Sequence, residues 1–134
     1  MNPAIPGNQK LNNVHKDRVK VMNISKGKVI ADKAEIADTF PRRLIGLLNR
    51  RSLAKGEALI LRPSNSIHSL FMRFTIDVIF LDKKSKVVGI IPSFRPFRIS
   101  PVYFNSYLTI ELPEHTLELT QTQPGDTIQF TPYL

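Results

Sequence analysis

The chain is 134 residues long, 42% hydrophobic and 22% charged, with no cysteine and a formal net charge of +8. That length suits one domain and the balance excludes wholesale disorder, while the absence of cysteine excludes disulfides, thiolate nucleophiles and cysteine-based zinc sites. No apolar run approaches the roughly 20 residues that span a bilayer, and residues 1–20 lack the apolar stretch of a secretory signal. The chain as given is therefore expected in the cytoplasm, or exported if a leader has been trimmed from it.

Residues 1–16 hold two Pro, one Gly and four Asn with no apolar period, which reads as a flexible arm ahead of a single β-rich domain over 17–134. Residues 19–23 and 28–36 suit short strands around a Ser25-Lys26-Gly27 turn. Thr39 and Pro41 open a segment in which Phe40, Leu44, Leu47 and Leu48 recur at helical spacing, predicting one main amphipathic helix that ends near 49–51. After Gly56 the period drops to two, first over 58–61 and then over 75–81. In the second of these strands Ile76, Val78 and Phe80 face one way and Asp77, Ile79 and Leu81 the other. Both faces are largely apolar, so Asp77 is expected to be partly buried.

Asp82-Lys83-Lys84-Ser85 reads as a hairpin loop into a strand over 86–91, and this hairpin is expected at the centre of the sheet. Pro92, Pro96 and Pro101 break up the next stretch, a long loop mixing Phe94, Phe97, Tyr103 and Phe104 with Arg95 and Arg98. Leu108, Ile110 and Leu112 then alternate inward against Thr109 and Glu111, which places Glu111 on a wet face. Residues 114–121 fit a helical turn, Pro124-Gly125 the centre of a type II turn, and 127–131 a last strand with Ile128 and Phe130 inward. Seven strands, one main amphipathic helix and no repeated βαβ spacing predict a mostly β fold, a small barrel-like or sandwich domain.

Charge is unevenly spread. All 19 Lys and Arg lie at or before Arg98, together with seven of the eleven acidic residues, a formal +12; the remaining four, Glu111, Glu114, Glu118 and Asp126, give the tail −4. A basic nucleic-acid or anionic-surface face arises only if folding segregates these regions.

The stretch Ile67-His68-Ser69-Leu70-Phe71-Met72-Arg73-Phe74-Thr75-Ile76-Asp77-Val78-Ile79-Phe80-Leu81-Asp82 resembles the signature of the domain-of-unknown-function 192 family. The flanks agree in order: Gly46-Leu47-Leu48, Gly56-Glu57-Ala58-Leu59-Ile60-Leu61, Ile110-Glu111-Leu112-Pro113 and Gly125-Asp126. The resemblance implies a small β-rich, barrel-like domain, often a stand-alone protein and in many relatives preceded by an export signal, with no function assigned. The family commonly carries a Cys before the His, whereas Ser64-Asn65-Ser66 here carries none, which removes a Cys–His catalytic pair. It also commonly has Gly where Ser85 stands, so the turn there either differs or carries about 1–2 kcal/mol of strain at positive φ.

Within the signature, His68, Arg73 and Asp77 are the polar residues able to carry chemistry. An unpaired Asp77 would be costly to desolvate, so Arg73 is expected to fold back onto it or onto a nearby carbonyl, with His68 close by. The segment Phe94-Arg95-Pro96-Phe97-Arg98 joins stacking rings to cations, as single-strand nucleic-acid binders do, although loop aromatics also pack down as a lid over an open barrel end. His68, Arg73, Asp77, Phe94, Arg95, Phe97 and Arg98 are thus the candidate ligand-binding residues. No catalytic residue, metal site or cofactor is indicated: His15, His68 and His115 lack metal-ligand spacing, and no nucleophile elbow or phosphate-binding glycine loop is present. The leading expectation is a non-catalytic binding or accessory domain for an unknown ligand or protein partner. A nucleic-acid or anionic-surface binder ranks second and an enzyme using His68 last.

Overall fold

The computed structural model describes residues 18–37 and 52–132. The expected N-terminal arm and the helix expected over 39–51 lie outside the described residues. The seven expected strands are all present: β1 (Arg18–Asn23), β2 (Lys28–Ala37), β3 (Glu57–Leu61), β4 (Ile76–Leu81), β5 (Val87–Phe94), β6 (Leu108–Pro113) and β7 (Ile128–Pro132). One short helix, α1 (Thr116–Thr120), precedes β7. They make a single sheet in the order β5-β4-β6-β3-β2-β1-β7, antiparallel except where β2 and β3 run parallel.

The sheet curls into a half-barrel. In a flat sheet the edge strands β5 and β7 would stand about 29 Å apart, at roughly 4.8 Å per strand. Instead they meet at one end. Lys86 and Thr127 form a bridge, the Val87 N–H donates to Asp126 O (2.9 Å), and the Ile128 N–H donates to Ser85 O (2.9 Å). The fold is therefore barrel-like rather than a sandwich.

Apolar residues on both faces of the central strands serve two cores. The concave side gathers Ile60, Ile79, Leu81, Ile110, Leu112, Ile128 and Phe130. On the outer side Leu59, Leu61, Ile76, Val78 and Phe80 pack with Phe94 at the end of β5 and with Ile67 and Met72 from the loop between β3 and β4. Three expectations are corrected. The fifth strand does not stop at Pro92 but runs on to Phe94, a residue expected in the long loop. The β4–β5 hairpin is not central, because β5 is an edge strand; that position accommodates Pro92, whose missing N–H leaves no ladder bond unmade. β6, between β4 and β3, is buried on both faces, so Thr109 and Glu111 are not wet.

The β4–β5 loop adopts the strained alternative. Asp82 Oδ1 accepts from the Lys84 and Lys86 N–H groups (2.8 and 2.9 Å), and Ser85 closes the loop at φ 62°. Ser85→Gly removes the left-handed penalty at a small cost in unfolded-state entropy, so stability is expected to rise by about 0.5–1 kcal/mol. Thermal unfolding checks this; a lowered midpoint would mean that packing of the buried Ser85 side chain outweighs the strain.

Candidate functional site

The residues between β3 and β4 and those between β5 and β6 pair with each other as an irregular ribbon. The Tyr103 N–H donates to Asn65 O, the Ser100 N–H to Ile67 O and the Ser69 N–H to Arg98 O, each at 2.8 Å, and His68 and Ile99 form a bridge. Such a ribbon leaves backbone groups that a regular ladder would satisfy, and buried serines fill in. Ser69 Oγ donates to Arg95 O and accepts from the Arg98 N–H (2.9 Å), while Ser100 Oγ accepts from the Ile67 N–H (2.9 Å). Tyr103 anchors the ribbon on the sheet by stacking on Phe80, ring centroids 4.2 Å apart. Its ring lies so close to Gly89 that a Cβ there would clash with the ring carbons, so glycine permits the approach.

Beneath this ribbon sits Glu111. It lies on β6 opposite Leu59 of β3 and Val78 of β4, facing the outer core, and is only 5% exposed. Thr109, two residues earlier on the same face, donates to Ser64 Oγ at 2.7 Å. Glu111 Oε2 has no hydrogen-bond partner among the described residues. Burial pushes its pKa from an ordinary 4.5 up to about 8, so the carboxyl is mostly neutral at pH 7. Glu111 nevertheless lines an open cleft of about 270 Å³, whose polar wall comes from Ser64, Asn65, Ser66 and His68 and whose apolar wall includes Leu61 and Ile67.

The other buried carboxylates are satisfied. Asp126 is opposed by its own burial, but the Asn23 side-chain amide (2.9 Å), the Gln123 N–H (3.1 Å) and the Lys26 ammonium (3.1 Å) outweigh that and hold its pKa below the ordinary 3.8. This cluster ties the β1–β2 turn to the loop before β7. Asp77 is buried as its apolar strand requires, and it finds partners, but not Arg73. Its Oδ1 accepts from the Ser93 N–H (2.9 Å) and its Oδ2 from the Leu117 N–H (2.8 Å). Ser93 lies in a bulge of β5, where the register slips between Ile76 and Val78, and Leu117 is in the first turn of α1, where helix N–H groups lack helical acceptors. Arg73 is exposed, with no ion-pair partner among the described residues. The expected arginine–carboxylate brace is thus replaced by two backbone amides.

The remaining candidates separate. His68 is exposed and lines the cleft over Glu111. Phe94, Arg95 and Arg98 come together in a second, shallower cleft of about 490 Å³ with Ser93, Ile99 and Tyr103. Phe94 packs into the outer core, whereas Phe97 is exposed outside both clefts. The Ser69 hydroxyl is committed to backbone groups rather than to His68. Among the described residues no three His, Cys, Asp or Glu side chains converge as a metal site, and no helix is long and apolar enough to cross a membrane. Glu111 is the residue that local alternation misplaced; the signal lay in its neighbours, since strands 58–61 and 75–81 are apolar on both faces and leave no wet face for a strand between them.

A family model described as Uncharacterized ACR, the domain-of-unknown-function 192 family, matches residues 21–130. The chain is 32% identical over 113 residues to a UPF0127 protein of Pyrococcus furiosus, covering 82% of this chain and 97% of that one. It is 34% identical over 114 residues to a UPF0127 protein of Thermococcus sibiricus, covering 82% and 73%. Among solved structures it is similar to a protein of unknown function from Novosphingobium aromaticivorans, with a TM-score of 0.72, 21% identity and coverage of 84% of this chain and 83% of that one. A Sinorhizobium meliloti protein described provisionally as a transcription regulator gives a TM-score of 0.74 at 20% identity, over 89% and 98% of the two chains. At such identities these likenesses speak for the fold alone. On the span of the family model and the identity of the archaeal relatives, the chain belongs to the domain-of-unknown-function 192 family, whose function is unassigned.

Proposed function

We propose that the domain is a non-catalytic binding module whose cleft over Glu111 takes a small ligand bearing a protonated amine or guanidine. One observation carries this reading: Glu111 Oε2 is buried without a hydrogen-bond partner among the described residues, yet Glu111 is one of the residues lining an open cleft. An unpaired buried carboxyl costs the fold stability, and a ligand that supplies the missing partner recovers that cost on binding. A cation fits best, because it converts a group that is mostly neutral in the free protein into one half of a charge-assisted pair, with Leu59, Leu61 and Val78 limiting competition from water. The cleft, about 270 Å³, suits a metabolite rather than a polymer.

A cation binds the ionised carboxyl, so below the raised pKa binding must expel a proton. Affinity is then expected to fall about tenfold per pH unit below pH 8. Thermal-shift titrations with methylammonium, putrescine and guanidinium at about pH 8.5, 7.5 and 6.5 test this, since a ligand at about 100 times its Kd adds roughly 2.7 kcal/mol to stability. Stabilisation of the wild type that weakens with falling pH and is absent from Glu111→Gln is the expected result. Equal shifts in the variant, or no shift of the wild type with any of the three, would overturn the reading.

A further inference from the structure

We infer that the paired loop tips beside the cleft are a docking surface for an anionic lipid bilayer. Two bulky residues there adopt left-handed backbone, Phe71 at φ 68° and Phe97 at φ 63°, a conformation uncommon for any residue with a Cβ and rarer still for large ones. Both turns aim a ring outward: Phe71 is 74% exposed and Phe97 64%, while the neighbouring Met72 and Phe94 are buried. The two tips are adjacent, because the N–H groups of Met72 and Phe97 donate to the same oxygen, Ser69 O, at 3.1 and 3.0 Å. Ile99, which shares the bridge with His68, adds a third apolar side chain, 73% exposed. Strained backbone that holds apolar groups in water points to a function outside the isolated fold.

Charge selects the partner. Residues 62–76 and 83–110 contain no Asp or Glu, and they present Arg73, Arg95 and Arg98, all exposed and without a carboxylate partner among the described residues. Exposed apolar side chains on the same loops as arginines that have no carboxylate partner among the described residues complement a bilayer whose surface phosphates are anionic and whose acyl boundary accepts the rings, the two signals that stable peripheral attachment requires. Single-stranded nucleic acid would also attract the arginines, but it rewards stacking platforms, and Ile99 and the exposed Val102 offer none.

The test is co-sedimentation of the full chain with vesicles of phosphatidylcholine alone and of phosphatidylcholine mixed equally with phosphatidylglycerol. Binding is expected only to the mixed vesicles, weakening at least about tenfold as salt rises from about 0.1 to about 0.5 M. The double variant Phe71→Ser/Phe97→Ser and the separate double variant Arg95→Gln/Arg98→Gln should each lose at least about tenfold in partitioning while keeping the wild-type circular dichroism spectrum. Both change exposed side chains, so folding is expected to survive in both. Failure of the wild type to bind, equal binding to neutral vesicles, or unchanged binding by the aromatic variant would overturn the inference. So would preferential binding of a single-stranded oligonucleotide through the same residues. The amine titration at Glu111 is independent of each of these outcomes.

Discussion

Replacing Glu111 with Gln is expected to remove most of the pH dependence of stability between about pH 5 and 8 and to leave the variant more stable than the wild type at the alkaline end. The sign comes from the raised pKa. The unfolded chain ionises this carboxyl near its ordinary 4.5, whereas the folded protein holds the proton to about 8. Between those values the folded state binds more protons than the unfolded state, so stability is greatest below pH 4.5 and declines as pH rises through 8. At 1.36 kcal/mol per pH unit the full decline is on the order of 3–6 kcal/mol. Asp126 acts with the opposite sign in a separate window. Its lowered pKa contributes stability above 3.8 that is lost as the solution becomes more acid, so it leaves the interval from 5 to 8 untouched. Glutamine resembles the neutral carboxyl in shape and has no ionised form. Its unfolding free energy should match the wild type within about 1–2 kcal/mol near pH 5, the spread left by an unpaired amide, and exceed it by several at pH 8. Urea unfolding at three pH values measures this. Parallel stability profiles for the two proteins would show that Glu111 ionises normally and that the cleft holds no perturbed carboxyl.

The second large effect is expected at Asp77. Its two oxygens serve N–H groups from different parts of the chain, Ser93 in the β5 bulge and Leu117 at the start of α1. Alanine at this position strands both donors in a buried site, each orphan costing about 1–3 kcal/mol, so Asp77→Ala is expected to lose about 3–5 kcal/mol, a large fraction of the 5–15 kcal/mol typical of a domain. Asp77→Asn keeps one acceptor but turns an NH₂ toward the other N–H, and about 2–3 kcal/mol should go. The consequence is local as well as global: amide exchange at Ser93 and Leu117 should accelerate in both variants before the sheet itself opens. Arg73→Ala supplies the contrast, with a change within about 0.5 kcal/mol, because the exposed guanidinium has no ion-pair partner among the described residues. A large loss from Arg73→Ala alongside a small one from Asp77→Ala would restore the arginine–carboxylate brace.

Sequence alone determined most of the strands and the fold class. Six of the seven strands fall where alternation placed them, while β5 runs on through Pro92 to Phe94; the turns at Ser25-Lys26-Gly27 and Pro124-Gly125 obey local backbone rules, with Gly27 and Gly125 at positive φ, whereas Ser85 takes positive φ at a cost in strain. The burial of Asp77 was also legible, because apolar neighbours on both faces of its own strand announce it. Tertiary structure decided which strands became neighbours and what covered each face. Glu111 alternates with Leu112 and Ile110 like any solvent-facing residue, and only the placement of β6 between two strands that are apolar on both sides, under a ribbon of distant loops, puts its carboxyl in the dark. The partners of Asp77 are 16 and 40 residues away, and that of Thr109 is 45. A strand's period is written in its own residues, but the dielectric around a side chain is set by whatever long-range pairing brings to it.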